Sequence, residues 1–279
     1  MSSHEDITTR FRDLHRPGAP LLMPNPWDVG SAVLLESLGF EALATTSSGF
    51  AATLGRLDGS VTREEALAHA AALVAAVDVP VSADLEDGFG PEVDDVVATI
   101  EGARAAGLAG CSIEDVANHG GPVAYERDRA VERVAAAADA AHKGGVALVL
   151  TARCDALLHG LCDLDEAIAR VQDYVAAGAD VVYVPALVEP DAIRRLVEAT
   201  DRPVNVLALP GVPPAAELGE LGVARISVGS AFSQAALGAT VEAARELRER
   251  GTYGFYELAA TGRGSARAAF AARAPAADR

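Results

Sequence analysis

Short apolar runs alternate with longer alanine-rich stretches along this chain. Eight runs have β-like character: residues 20–25 (PLLMPN), 42–48 (ALATTSS), 80–86 (PVSADLE), 110–115 (GCSIED), 147–154 (ALVLTARC), 181–186 (VVYVPA), 203–209 (PVNVLAL) and 224–230 (ARISVGS). Between them lie helix-compatible segments such as TREEALAHAAALVAAV, VDDVVATIEGARAAG and LDEAIARVQDYVAAG. The last two end in Gly, a residue favoured just past a helix C-terminus. Strand–helix alternation predicts a parallel sheet. Eight such units in about 230 residues predict a single α/β domain, a (β/α)₈ TIM barrel. A doubly wound sheet would want a Gly-x-Gly-x-x-Gly turn after its first strand, where this chain has Trp27-Asp28-Val29-Gly30. The barrel is expected over residues 1–245, with a C-terminal helical extension over 246–279 whose last fifteen residues, low in complexity, form a frayed tail.

A barrel of this kind carries its active site at the C-terminal ends of the strands. Those ends are unusually polar here. The second run ends in Thr45-Thr46-Ser47-Ser48, the third in Asp84-Leu85-Glu86-Asp87, the fourth in Glu114-Asp115 and the fifth in Arg153-Cys154-Asp155. The seventh carries Asn205. Strand alternation turns Asp84 and Glu86 to one side and Asp87 to the other.

Composition narrows the partners. With 23 basic and 40 acidic residues the formal net charge is −17. Nucleic acid and anionic membrane both want a basic footprint, so neither is expected as a partner. No apolar stretch is long enough for a transmembrane helix, and the polar N-terminus has no secretory apolar core. Cys111, Cys154 and Cys162 lack metal spacing and read as reduced thiols that fill space in a cytoplasmic protein.

Several carboxylates in a partly dry barrel mouth cost several kcal/mol when unpaired, as an order of magnitude. A cation relieves that cost, and all-oxygen donors favour a hard ion, Mg²⁺ above Ca²⁺ when direct ligands are few. Thr46, Ser47 and Ser48 read either as a cradle for a carboxylate or phosphate, or as a helix N-cap. Arg153 reads as a bidentate clamp on a substrate carboxylate, or as a salt bridge to Asp155 or Glu114. Of the six histidines only His119 falls just past a strand end, in the Gly-rich stretch ANHGGPVAY. That stretch either closes over a site or leaves the imidazole exposed.

The ordered set PNPWDVGSAVLLESLGFEAL, TTSSGFAATLGRLD, ADLEDGFG, SIED and TARCDAL resembles the isocitrate lyase/phosphoenolpyruvate mutase superfamily over residues 18–245. The resemblance implies a Mg²⁺-dependent site, with Mn²⁺ as a substitute, acting on 2-oxo acids or their enol forms. It assigns Asp84, Glu86, Asp58 and Glu114 to the metal, Asp84 closest and Asp58 and Glu114 mostly through water. It assigns Thr46, Ser47, Ser48 and Arg153 to the substrate; Asp84 and Asn205, from their places on the strands, join them as substrate-binding candidates. It also implies a homo-oligomer, a dimer of dimers with a helix-swapped C-terminal region built on residues 231–250.

Departures from the superfamily pattern restrict the reaction. The true lyases carry Lys-Cys-Gly-His after the fourth strand, where this chain reads Val116-Ala117-Asn118-His119-Gly120-Gly121-Pro122. Isocitrate and 2-methylisocitrate cleavage are therefore disfavoured. The gating-loop Lys of the P–C enzymes is also missing, and Ala44 stands in place of a mutase aromatic. The expectation is a Mg²⁺-dependent lyase cleaving a C–C bond beside a 2-oxo acid, with Asp58, Arg153, Asn118 and His119 as catalytic candidates. P–C chemistry is the second reading, and a catalytically weak 2-oxo acid binder the third.

Overall fold

A computed structural model describes residues 3–117 and 121–273. All eight anticipated runs form strands of one parallel sheet. These are β1 (Leu21–Met23), β2 (Leu43–Ala44), β3 (Val81–Asp84), β4 (Gly110–Glu114), β7 (Val149–Arg153), β8 (Val181–Tyr183), β9 (Val204–Leu207) and β10 (Arg225–Ser227). Each pairs with the next around the sheet, and β1 pairs with β10, Leu21 opposite Arg225. Between β1 and β2 the barrel is nearly closed: the Ala44 N–H donates to the Pro24 carbonyl at 3.1 Å. The predicted (β/α)₈ barrel is therefore the fold.

The sequence analysis did not anticipate the antiparallel pair β5 (Val116–Ala117) and β6 (Val123–Ala124), which rises from the end of β4. Asn118 and His119, between the two in sequence, lie outside the described residues.

The helices start where local chemistry starts them. Asp28 caps α2 (Val29–Ser37) and Thr62 caps α4 (Arg63–Ala76), each in a reciprocal capping box. Thr46 caps α3 (Ser47–Thr53), its hydroxyl accepting from the Gly49 N–H. Outside the sheet follow α5 (Val93–Ala105), α6 (Arg127–Ala141), α7 (Leu164–Ala176), α8 (Pro190–Glu198) and α9 (Ala215–Glu220). Their alanines let them lie close on one another and on the strands. Ala137, Ala138 and Ala141 of α6 are buried with Ile100 and Ala103 of α5.

An N-terminal helix, α1 (His4–Asp13), closes the bottom of the barrel. Its Phe11 is fully buried with Leu21, Ala109, Val149 and Val181. A Cβ on Gly110 would come within 2.7 Å of the Phe11 ring, so the strand needs glycine there.

The C-terminal region departs from expectation. Helix α10 (Ala231–Arg250) runs through the anticipated boundary at 245, and among its residues only Ser233 is buried. Residues 265–273, anticipated as frayed, belong to α11 (Tyr256–Arg273). That helix packs on α2 of the same chain, and Arg273 pairs with Glu36 and Asp78. Residues 274–279 lie outside the described residues.

Candidate active site

The chain reverses sharply after β3. Glu86 and Phe89 both adopt left-handed backbone, with φ of 48° and 60°, and Gly88 has φ of 89°. Glycine is required at 90 for another reason: a Cβ there would meet the Asp95 carboxylate at 2.2 Å. The buried Arg133 of α6 pins this turn from behind, donating to the carbonyls of Asp87, Gly90 (2.9 Å) and Pro91 (2.7 Å). Because the strand ends at Asp84, simple alternation no longer governs Glu86. Asp87 does point away from the mouth: its carboxylate accepts from the Tyr125 hydroxyl at 2.8 Å.

A cavity of about 180 Å³ opens at the C-terminal end of the barrel. Thr46, Ser47, Ser48, Asp58, Asp84, Arg153 and Asn205 all line it. Seven of the residues assigned from sequence thus converge on one space. Asp84 accepts from both the hydroxyl (3.0 Å) and the backbone N–H (3.3 Å) of Ser47. Thr46, Ser47 and Ser48 serve both readings at once, since Thr46 caps α3 and all three face the cavity.

Arg153 is occupied. Its guanidinium forms a two-pronged pair with Asp155 (3.0 and 2.8 Å), and reaches Asp84 at 3.0 Å and Glu114 at 3.1 Å. The salt-bridge reading therefore describes it better than a free substrate clamp. Burial alone would lower its pKa, but the charges of Asp155, Glu114 and Asp84 hold it well above the usual value. Asn205 is similarly committed: its oxygen accepts from Arg225 and its nitrogen donates to Ser227.

The acids carry a surplus of negative charge. Asp58, Asp84, Glu86, Glu114 and Asp155 gather around the single guanidinium of Arg153. Burial, then the charges of Asp84, Asp58 and Asp87, pushes Glu86 up to about 8. Burial likewise raises Glu114 well above the carboxylate range. The pKa of Asp58 is raised by desolvation and by Asp84, although its side chain keeps solvent contact at the mouth.

The four acids assigned to a metal do not form a closed ligand cage. Glu114 is drawn to Arg153, and Glu86 lines a smaller space behind Ser47. Among the described residues no three His, Cys, Asp or Glu side chains are close enough to enclose an ion on their own. The donor chemistry nevertheless fits a hard divalent cation: oxygen donors only, with mutually raised carboxyls and Asp84 and Asp58 on the same cavity. An ion bound mainly through one carboxylate and water needs no cage.

Some site residues went unrecognised in the sequence. Asn25 clasps three strands, donating to the Thr45 carbonyl (2.8 Å) and accepting from the N–H groups of Val228 and Gly229 (3.0 Å each). Its signal is a lone amide between prolines at a strand end. Tyr183 lies under the Arg153 guanidinium, 5.0 Å from ring centroid to Cζ. Buried Arg225 supports the floor through Asn205, Thr151 and His15. The cysteines are as expected, with Cys111 and Cys154 buried and unbonded to each other.

Comparison with known proteins bears on the family and the fold. The phosphoenolpyruvate phosphomutase family model matches residues 11–248. A crystal structure described as a putative lyase/mutase from Burkholderia cenocepacia J2315 superposes with a TM-score of 0.89 at 47% identity, covering 95% of each chain. A Mycobacterium tuberculosis protein, Rv1998c, is 37% identical over 243 residues, 86% of this chain and 89% of its own. The structure of 2,3-dimethylmalate lyase, described as a PEP mutase/isocitrate lyase superfamily member, superposes with a TM-score of 0.79 at 29% identity, covering 91% of this chain and 90% of its own. The chain belongs to the isocitrate lyase/phosphoenolpyruvate mutase superfamily of lyases and mutases.

Proposed function

We propose that this protein is a Mg²⁺-dependent lyase that cleaves the C–C bond next to the ketone of a 2-oxo acid or its hydroxy-acid adduct. The observation that supports it most is the surplus of carboxyls around Asp84 and Asp58 on the cavity shared with Thr46, Ser47 and Ser48. Asp84 and Asp58 would hold the ion, with Glu114 and Glu86 nearby as carboxyls whose ionisation a cation would favour. When bound, Mg²⁺ supplies positive charge beside the enolate oxygen that develops as the bond breaks.

The chain's own groups do the rest. The hydroxyls of Thr46 and Ser48 orient the substrate carboxylate. Ser47 fixes one oxygen of Asp84 while Arg153 fixes the other, so the acid is preorganised rather than mobile. Arg153 acts mainly as the keystone for Asp84, Glu114 and Asp155, and its charge also faces the cavity. His119 stays the proposed acid/base group in place of the lyase cysteine, with Asn118 as a proposed hydrogen-bonding group.

P–C chemistry is the second reading, supported by the phosphomutase family match and weakened by the absence of lysine from residues 116–122. Incubation with Mg²⁺ and oxaloacetate, 2-methylisocitrate, 4-hydroxy-2-oxo acids or phosphonopyruvate separates the readings. Pyruvate or an equivalent 2-oxo acid should appear above the uncatalysed rate from a C–C substrate, 2-methylisocitrate least, and stop on addition of EDTA. Conversion of phosphonopyruvate alone, or tight oxalate binding without any turnover, would replace this assignment.

The small-molecule substrate is the expected partner, in a homo-oligomer built on α10. Among the described residues no helix is long and apolar enough to cross a membrane.

A further inference from the structure

Next to the main cavity, sharing Thr45, Thr46, Ser47 and Asp84 with it, lies a small space of about 10 Å³. Thr45, Thr46, Ser47, Asp84, Glu86 and His69 contribute its polar wall, with Phe50, Val61 and Ala66 completing it. One polar atom at this space is buried without a partner. The Nε2 atom of His69 is buried and makes no hydrogen bond. The hydrogen bonds of the described residues include none to the carboxyl of Glu86, a residue only 4% exposed.

The His69 ring is held in place by other means. It stacks on Phe50 with centroids 3.9 Å apart and planes 11° from parallel. Burial keeps the imidazole neutral at ordinary pH, its pKa lowered to about 4 against a small opposing effect of Asp28. A neutral imidazole nitrogen either donates or accepts, so it suits a bridging water in either orientation. A space of this volume takes one water molecule, and such waters want two to four polar partners.

We infer that His69 is a positioning residue: one buried water joins its Nε2 to the Glu86 carboxyl and holds that acid behind Asp84. The inference rests on the metal-site reading above. The Glu86 side chain lines this rear space and not the main cavity. Side chains that orient metal-site acids commonly change metal affinity without touching the ion.

The test uses the full-length protein and Mg²⁺ alone. His69→Phe keeps the stack on Phe50 and removes the nitrogen; His69→Gln restores a hydrogen-bonding group. Calorimetric titration should show Mg²⁺ affinity about ten-fold weaker in His69→Phe and largely recovered in His69→Gln. Melting temperatures should stay close to wild type in both. A wild-type crystal structure should show one water bonded to both groups, and the Glu86 side chain should shift in His69→Phe. Unchanged affinity with an unmoved Glu86, or equal loss in both variants, would overturn the inference. A protein that binds Mg²⁺ as described yet cleaves no 2-oxo acid would remove the functional assignment and leave this one standing. If the wild type bound no Mg²⁺, the functional assignment would fall, and the bridging water and Glu86 shift would still decide this point.

Discussion

At the scale of single residues, the acids at 84 and 86 do different work although they sit two positions apart. Asp84 is fixed on the cavity by Ser47 and Arg153, whereas Glu86 turns to the rear space on left-handed backbone. Strand periodicity made the first placement legible. The second was not, because periodicity ends with the strand and the turn is set by Arg133, more than forty residues away. The same distance effect hid part of the pairing of Arg153: the sequence named Asp155 and Glu114 as partners, but not Asp84 at 3.0 Å. The raised pKa of Glu86 has a testable sign. In chelator-treated protein the folded state keeps a proton that the unfolded chain releases above about 4.5. Its stabilising contribution is therefore full below that pH and lost as pH rises to about 8. The Glu86→Gln variant should flatten this dependence, gaining on the order of 3 kcal/mol over wild type between the two ends. Parallel urea-unfolding curves for the two proteins across that range would show the carboxyl to be ionised in the fold.

At the scale of elements, all eight strands were readable because a buried parallel strand is a short continuous apolar run bounded by turn residues. The β5–β6 pair escaped because two-residue strands carry no periodicity. Residues 265–273 of α11 were read as frayed because their sequence is low in complexity; they dock on α2 with the rest of the helix, and Arg273 adds ion pairs. Closure of the barrel depends heavily on one side chain. Asn25 satisfies backbone groups of residues 45, 228 and 229, where β1, β2 and the end of β10 meet. Replacing it by Ala strands those groups in a buried site, and the Asn25→Ala variant should lose about 2–4 kcal/mol of stability. Turnover should fall as well, since Thr46 and Gly229 border the same cavity. A variant with wild-type unfolding midpoint would show that the clasp is dispensable.

At the scale of the whole molecule, the barrel's polar mouth and its apolar C-terminal helix point to different relationships. Leu237, Val241 and Leu247 of α10 stand exposed, as do Tyr253, Leu258 and Phe270 beyond them. A second copy of the chain covering α10 would account for this surface, in line with the oligomer proposed above. Light scattering should report a multiple of 28.6 kDa, and the Leu237→Glu/Val241→Glu double variant should dissociate it. A wild-type monomer would contradict that assembly. The central claim concerns the mouth, where the superfamily's motifs were legible in the sequence and the particular reaction was not, because the catalytic candidates Asn118 and His119 fall in the divergent stretch 116–122. The most direct measurement is Mg²⁺ titration by calorimetry of wild type and Asp84→Ala, each followed by assay of the best C–C substrate. The account predicts saturable Mg²⁺ binding and turnover in wild type, with both abolished in a folded Asp84→Ala protein. Unchanged Mg²⁺ binding or undiminished turnover in that variant would contradict it.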